Sequence, residues 1–180
     1  MSKLIVHPRD ASTAFLKASY EDRDQATVVR AGTPRHYIQR MIEDHSVTMM
    51  MGHGSPYGLW GVSQFDRMFA IDGFFVPELA RREHVYIWCN ADMFVRPRRL
   101  AGFHTGMFIS EVGEAWMCRV NADKDEVEWS NRLFADSVAQ GETPFEMWEA
   151  CMDIYAPLAG VSEVVDYNQQ RLWYTPAAAA

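Results

Sequence analysis

The 180-residue sequence is poor in the residues and segments that mark several classes of protein. Its three cysteines, Cys89, Cys118 and Cys151, are too few and too scattered for a disulfide framework or a CxxC metal-binding pair. No apolar run approaches the ~18 residues of a membrane-spanning helix. Lysine and arginine total 17 against 24 aspartates and glutamates, and this net charge of −7 argues against a general nucleic-acid-binding or anionic-membrane surface.

The first residues also lack the apolar core and cleavage site of a signal peptide. We therefore expect reduced thiols in a cytoplasmic protein, which an odd cysteine count also favours. No linker or repeat divides the chain, and its length and 48% hydrophobic content are typical of one globular domain. The predicted domain covers residues 1–176, with a core at about 3–110, C-terminal helices at about 111–160 and a tail at 177–180.

Short apolar runs alternate with helical patterns along the chain. The runs predict strands at residues 4–7, 26–31, 47–51, 85–88 and 102–110. Helices are predicted over residues 12–24, from residue 34, near 77–83, and over 111–120, 124–139 and 144–156, with a small hairpin within 57–73. This alternation predicts an α/β fold, a three-layer sandwich in which helices cover both faces of a mainly parallel central sheet.

Two of the predicted strands end in residues that can carry chemistry. His53 follows the run 47–51 within Gly52-His53-Gly54, and Cys89 directly follows the run 85–88. With right-handed crossovers, the carboxyl ends of parallel strands lie along one edge of the sheet, where open α/β sheets bind ligands. We therefore expect His53 and Cys89 to lie at the same edge.

A cysteine and a histidine at one edge are the groups that a thiol hydrolase uses. The thiolate attacks a carbonyl, the imidazole moves protons, and backbone N–H groups stabilise the oxyanion. Gly54 allows a close backbone approach, so its N–H and that of Cys89 are the predicted oxyanion donors. Gly54→Val is then expected to slow catalysis with only a small loss of stability. The structural alternative is an inert buried cysteine and a histidine in an ordinary glycine-rich turn.

The remaining histidines and cysteines are predicted to have structural roles. Four histidines at the ends of predicted elements are expected to be solvated: His7, His36, His45 and His84. His104 is expected to pack in or beside the fifth strand, and Cys118 and Cys151 on apolar helix faces. A zinc site of His53, Cys89 and His104 lacks the spacing of zinc-binding motifs, so no metal or other cofactor is predicted.

The order of these motifs resembles that of the caspase-like cysteine peptidases, which include caspases, metacaspases, legumains, gingipains and separases. In that family a strand ending in His-Gly is followed by a helix and by a strand ending in the nucleophilic cysteine. The similar segments here are Val47-Thr-Met-Met-Met-Gly-His53-Gly54 and Val85-Tyr-Ile-Trp-Cys89. The resemblance covers about residues 3–110 and is to bacterial or phage members. Trp88 before Cys89 and Asn90-Ala91-Asp92 after it depart from the usual residues of the family.

This resemblance implies a caspase–hemoglobinase-type fold and a cysteine endopeptidase with a His53/Cys89 dyad and no cofactor. It also implies a cytoplasmic effector of bacterial defence or cell death that cuts a protein or peptide and is activated by a partner or a nucleotide-type signal. In the family, the loop after the first strand often lines the pocket for the side chain before the cut. Arg9 and Asp10 are therefore candidate substrate-binding residues, with Asp92 and Trp88 as further candidates, and a basic side chain is the favoured substrate.

Two other hypotheses stay open at this point. A catalytically silent caspase-like module would bind a peptide or nucleotide signal at the same edge, and the unusual residues around Cys89 are the reason to consider it. A flavodoxin-like or other doubly wound ligand-binding protein would need a glycine-rich phosphate loop after the first strand, where Pro8-Arg9-Asp10 stands instead.

Overall fold

The computed structural model describes residues 2–23, 26–65, 67–158 and 160–178, and a six-stranded sheet forms its centre. The strands are β1 (Lys3–Val6), β2 (Ala26–Val28), β3 (Val47–Met51), β7 (His84–Ile87), β8 (Gly102–Thr105) and β9 (Leu172–Thr175), in the order β2-β1-β3-β7-β8-β9. The first five are parallel, and β9 runs antiparallel to β8 at one edge. The predicted α/β fold with a mainly parallel central sheet is confirmed.

Seven α-helices occur in the described residues. They are α1 (Arg35–Asp44), α2 (Val76–Leu79), α3 (Asp92–Val95), α4 (Val112–Met117), α5 (Lys124–Gln140), α6 (Pro144–Tyr155) and α7 (Glu163–Gln169). The prediction was closest for α5 and α6, because both begin at a capping box, Asp123 with Glu126 and Thr143 with Glu146.

Other sequence-based boundaries need correction. The helix expected over residues 12–24 is a short 3₁₀ helix, Ala14–Ser19, and residue 24 lies outside the described residues, as do residues 179 and 180 of the expected tail. Helices α3 and α7 and strand β9 have no counterpart among the predicted elements, and the strand expected over residues 102–110 ends at Thr105. Because β9 pairs with β8, the central sheet extends beyond the core expected at about residues 3–110. In the described part of the chain, no helix combines the length and apolarity that a bilayer crossing needs.

Helices pack on both faces of the sheet because successive strand residues point to opposite sides. Tyr86 joins the core that contains side chains of α1, α2 and α3, whereas its neighbours Val85 and Ile87 join the core that contains side chains of α5 and α6. The central strands β1, β3, β7 and β8 are therefore buried along their length, as expected for a parallel sheet covered on both faces. This arrangement is a three-layer sandwich.

Two histidines that were expected to be solvated are buried. His7 is 5% exposed at the end of β1, with its Nδ1 3.0 Å from the Tyr20 hydroxyl. His84 is fully buried at the start of β7, where its Nδ1 accepts a 3.0 Å hydrogen bond from the Thr48 amide. Burial lowers the pKa of His7 to about 4 and that of His84 to about 3. The pattern of apolar residues did not predict this burial, because a neutral imidazole can occupy a buried position at either end of a strand. His104 is buried in β8, as predicted.

A second, three-stranded antiparallel sheet follows β3 and extends the predicted hairpin by one strand. It comprises β4 (Gly54–Ser55), β5 (Gly58–Trp60) and β6 (Phe69–Asp72). The Trp60 amide donates to the His53 carbonyl at 2.8 Å, and the Gly52 amide donates to the Ile87 carbonyl at 3.0 Å. His53 is thus held between the end of the main sheet and the start of the small one.

Candidate functional site

His53 and Cys89 line the same small cavity at the carboxyl ends of the adjacent strands β3 and β7. The cavity has a volume of about 20 Å³, which is enough for one water molecule. Its walls also include Thr105, the last residue of β8 and thus at the same edge of the sheet, and Phe108 in the loop that follows. The structure therefore brings the two sequence-predicted residues together at one edge of the sheet.

Asp10 and Ser12, in the loop after β1, hold the His53 ring from one side. Nε2 of His53 lies 3.0 Å from Asp10 Oδ2 and 2.7 Å from Ser12 Oγ. Ser12 Oγ also donates to Asp10 Oδ1 at 2.9 Å. Because Ser12 gives its only hydroxyl proton to Asp10, its Oγ accepts a hydrogen bond from Nε2, beside which the Asp10 carboxylate also lies. The ring proton is therefore on Nε2, and the lone pair of the neutral ring is on Nδ1.

Asp10 is well suited to fix this tautomer because it is held as a carboxylate. Partial burial alone would raise the pKa of Asp10, but hydrogen bonds from Ser12 and Thr13, and the charge of His53 whenever its ring is protonated, hold it below its ordinary value. Its Oδ1 accepts from the backbone amides of Ser12 and Thr13 at 3.0 and 3.1 Å. The loop after β1 thus positions the imidazole at the β1/β3 boundary, where the strand order reverses and such sheets bind ligands.

The contact between Ser12 and His53 resembles a serine nucleophile beside its base, but the same nitrogen faces Asp10. In a serine triad the carboxylate bonds to one ring nitrogen and the hydroxyl to the other. Here both contact Nε2, so that nitrogen has no lone pair to accept the Ser12 proton. Ser12 is accordingly a residue that orients His53.

Cys89 is held as a thiol by groups that follow β8. Its Sγ lies 3.8 Å from the Phe108 carbonyl oxygen and 4.0 Å from Glu114 Oε1. Burial, and next the Glu114 carboxylate, raise the pKa of Cys89 to about 12. Near neutral pH the sulfur is therefore protonated, which is the opposite of an activated cysteine.

A tight turn after β7 presents Cys89 to the cavity. The Ala91 amide donates to the Trp88 carbonyl at 3.1 Å, the Asn90 amide donates to the Gly106 carbonyl at 3.0 Å, and α3 begins at Asp92. Asn90 has a φ of 63°, in the left-handed region that asparagine tolerates better than most residues. The positive φ of this turn thus explains why asparagine suits position 90, where the sequence departs from the usual residues of the resembled family.

Trp88 has a packing role that corrects one expectation about Gly54. The Trp88 side chain is 2% exposed and packs edge-on against Tyr86 and Phe94, and its Nε1 donates to the Ser55 carbonyl at 3.1 Å. A Cβ atom on Gly54 would lie 2.2 Å from Trp88 Cδ1. The expectation that Gly54→Val costs little stability is therefore wrong, because the absent side chain makes room for Trp88. The oxyanion role of the Gly54 and Cys89 amides stays a prediction.

The predicted substrate-binding residues lie in different surroundings. Arg9 is exposed, Asp92 is half-buried at the first position of α3, and Trp88 belongs to the core while also lining the cavity. Asp10 contacts His53. Their substrate roles stay predictions. Sequence reasoning missed Ser12 and Glu114; the Asp-x-Ser spacing of an Asx turn is a local signal for Ser12, whereas Glu114 has none.

The described residues contain no group of three or more histidine, cysteine, aspartate or glutamate side chains that could hold a metal ion. Comparisons of the chain with protein-family models, with curated proteins and with solved structures find no match.

Asp10→Asn should reverse the His53 tautomer and lower any His53-dependent hydrolysis by roughly 10²- to 10⁴-fold. The asparagine oxygen will take the place of Oδ1, which accepts two backbone amides, so its NH₂ group will face Nε2. Nitrogen-15 NMR of the imidazole should then show Nδ1–H in place of Nε2–H. Ser12→Ala is the matched control and should retain the wild-type tautomer, because the Asp10 carboxylate still lies beside Nε2 and favours a proton there. An unchanged tautomer in Asp10→Asn would contradict the assignment.

Proposed function

We propose that this protein is a caspase-like cysteine endopeptidase of caspase–hemoglobinase-type fold, with Cys89 as nucleophile and His53 as base. The observation that carries the proposal is that both side chains line one cavity at adjacent strand ends, with Nε2 of His53 anchored by Asp10. That anchoring leaves Nδ1 as the ring nitrogen that can receive a proton. The substrates are proteins or peptides, and the setting is a cytoplasmic bacterial defence or cell-death response.

In the proposed reaction, His53 Nδ1 accepts the Cys89 proton, and the resulting thiolate attacks the peptide carbonyl carbon. The amides of Gly54 and Cys89 stabilise the oxyanion, and the ionised Asp10 stabilises the imidazolium. The imidazolium then donates its proton to the leaving amine as the C–N bond breaks, giving a thioester. Water, deprotonated by His53, attacks the thioester and releases the carboxylic acid and the Cys89 thiol.

Activation must precede this reaction, because the hydrogen-bond partners of the Cys89 thiol are Phe108 and Glu114. Moving the segment from Phe108 to Glu114 would remove the nearby carboxylate and open the cavity towards His53. A partner or a small signalling molecule that displaces this segment would convert the protonated thiol into a thiolate–imidazolium pair. The proposed enzyme is therefore switched off in the conformation described.

A second candidate function is a catalytically silent caspase-like module that binds a peptide or nucleotide signal at the same edge. The observation that favours it is the raised pKa of Cys89, about 12. A structural cysteine gains nothing from a neighbouring base, so its thiol can remain buried and protonated. The two candidates differ in whether His53 affects the reactivity of Cys89.

Alkylation by iodoacetamide, followed at each cysteine by mass spectrometry, separates the two candidates. In the wild-type protein, Cys89 labelling should be slow at neutral pH and should rise about tenfold per pH unit towards 12, because only the thiolate reacts. Glu114→Gln should raise the rate at neutral pH by about tenfold or more, since it removes a negative charge beside the sulfur.

If the dyad operates, adding His53→Ala to Glu114→Gln should remove this gain. Glu111→Gln is the matched control, because Glu111 is the N-cap of α4, and the buried Cys151 is the internal reference. A Glu114→Gln gain that is insensitive to His53→Ala would reject the peptidase and favour the silent module.

A further inference from the structure

Two asparagine side chains hold the backbone of the segment that contacts Cys89. Asn168 of α7 is fully buried, its Oδ1 accepts from the Ile109 amide at 2.8 Å, and its Nδ2 donates to the Ile109 carbonyl at 3.0 Å. Asn131 of α5 donates through Nδ2 to the Ser110 carbonyl at 2.9 Å. We call these three hydrogen bonds the asparagine latch. They tie two consecutive residues to helices that follow 21 and 59 residues later in the chain.

Asn168 uses the whole hydrogen-bonding capacity of an amide side chain at this point. Its Nδ2 also donates to Ser130 Oγ on α5 at 3.1 Å, so both donor hydrogens and the carbonyl oxygen have partners. An aspartate of the same shape could only accept when ionised, and it would leave the Ile109 carbonyl without a donor. The Ile109 side chain is fixed as well, because it is fully buried in a small core with Ala115, Val127 and Val164.

The latched residues position both groups that contact the Cys89 thiol. The Phe108 carbonyl, 3.8 Å from Sγ, belongs to the residue directly before Ile109. The Glu114 carboxylate is anchored to Ser110, because its Oε2 accepts from the Ser110 amide at 2.7 Å and from the Ser110 hydroxyl at 3.0 Å. Its other oxygen, Oε1, lies 4.0 Å from Sγ. A continuous series of contacts therefore connects α7 to Cys89.

We infer that Asn168 is a positioning residue that holds the segment Phe108–Glu114 against Cys89, and that a shift of α7 releases this segment. The inference rests on the proposed function, because the latch regulates hydrolysis only if Cys89 is the nucleophile. Helix α7 has seven residues and directly precedes the edge strand β9. A displacement of this end of the chain would therefore reach Cys89 through the side chain of Asn168.

Iodoacetamide labelling of Cys89 and hydrogen–deuterium exchange test the latch without requiring catalysis. Asn168→Ala removes the hydrogen bonds to both backbone groups of Ile109. It should speed the exchange of the Ile109 and Ser110 amides and the labelling of Cys89 at neutral pH, each by about tenfold or more, as expected for the loss of two buried hydrogen bonds. Asn131→Ala frees only the Ser110 carbonyl and should speed both by about fivefold. It also tests the latch if Asn168→Ala does not fold.

A double variant shows whether Asn168 acts through the Glu114 carboxylate. Asn168→Ala combined with Glu114→Gln should raise Cys89 labelling by less than the product of the two separate gains, because both changes remove the same negative charge from the sulfur. Ile38→Ala is the matched control for a loss of stability alone. Ile38 is fully buried on α1, on the opposite face of the sheet, so this variant should be less stable but should label at the wild-type rate.

Three results would overturn the inference: an unchanged Cys89 labelling rate in folded Asn168→Ala or Asn131→Ala protein, an equal gain in Ile38→Ala, or gains that multiply in the double variant. Turnover of a peptide library is measured separately. Faster labelling without turnover in Asn168→Ala and in Glu114→Gln would support the latch and refute the peptidase. Turnover by Glu114→Gln, together with an unchanged labelling rate in Asn168→Ala, would do the reverse.

Discussion

Cys89→Ala should abolish peptide hydrolysis by the activated protein, and His53→Ala should reduce it about as severely, by 10⁴-fold or more as is typical for nucleophiles and their bases. Without the sulfur no thioester can form, and without the imidazole no group takes the sulfur proton. Both side chains lie in loops at strand ends and are half-buried, so the free energy of unfolding should change little. Turnover of a peptide library and thermal unfolding measure the two effects.

The double variant gives the sharper comparison. Because a nucleophile and its base act as a unit, Cys89→Ala combined with His53→Ala should be no slower than either single variant. Cys118→Ala is the matched control, since Cys118 is also a half-buried thiol, its Sγ accepts a hydrogen bond from the Tyr167 hydroxyl, and it does not line the cavity. Turnover retained by purified Cys89→Ala protein would reject the mechanism.

Gly54→Val should destabilise the protein by about 3 kcal/mol, the upper range for overpacking a core. A Cβ at Gly54 would lie 2.2 Å from Trp88 Cδ1 and 2.8 Å from the Gly58 carbonyl oxygen. Trp88 cannot move aside easily, because Tyr86 and Phe94 pack against its ring. Urea denaturation should show a lower midpoint with a similar slope.

Gly73→Ala is the control for the loss of a glycine. A Cβ at Gly73 would have no atom within 4 Å, so this variant should unfold near the wild-type midpoint. If Gly54→Val kept wild-type stability while losing activity, the steric explanation would fail and a direct role of the Gly54 amide at the oxyanion would gain support. The absence of a side chain at Gly54 leaves the space that the Trp88 ring occupies before Cys89.

The parts of the fold that could be predicted have signals in consecutive residues. Strand β3 is buried on both faces and is apolar except for Thr48, and α5 and α6 begin at capping boxes that close within three residues. Strand β9 escaped prediction because it is a short edge strand that pairs with β8, far away in the chain, and part of its surface stays accessible. It can pair with β8 only because α7, which directly precedes it, ends near the edge of the sheet that β8 forms.

For the candidate site, the sequence by itself placed His53 and Cys89 at one edge of a parallel sheet, because strand direction determines where both strands end. Only the tertiary structure decided what each side chain contacts. The loop after β1 brings Asp10 to Nε2 of His53, and the segment after β8 brings Glu114 to Cys89. Charge and hydrogen bonding act over a few ångströms in space, whatever the separation in sequence. The tautomer of His53 and the raised pKa of Cys89 are therefore properties of the folded chain, set by loops whose course no local pattern encodes.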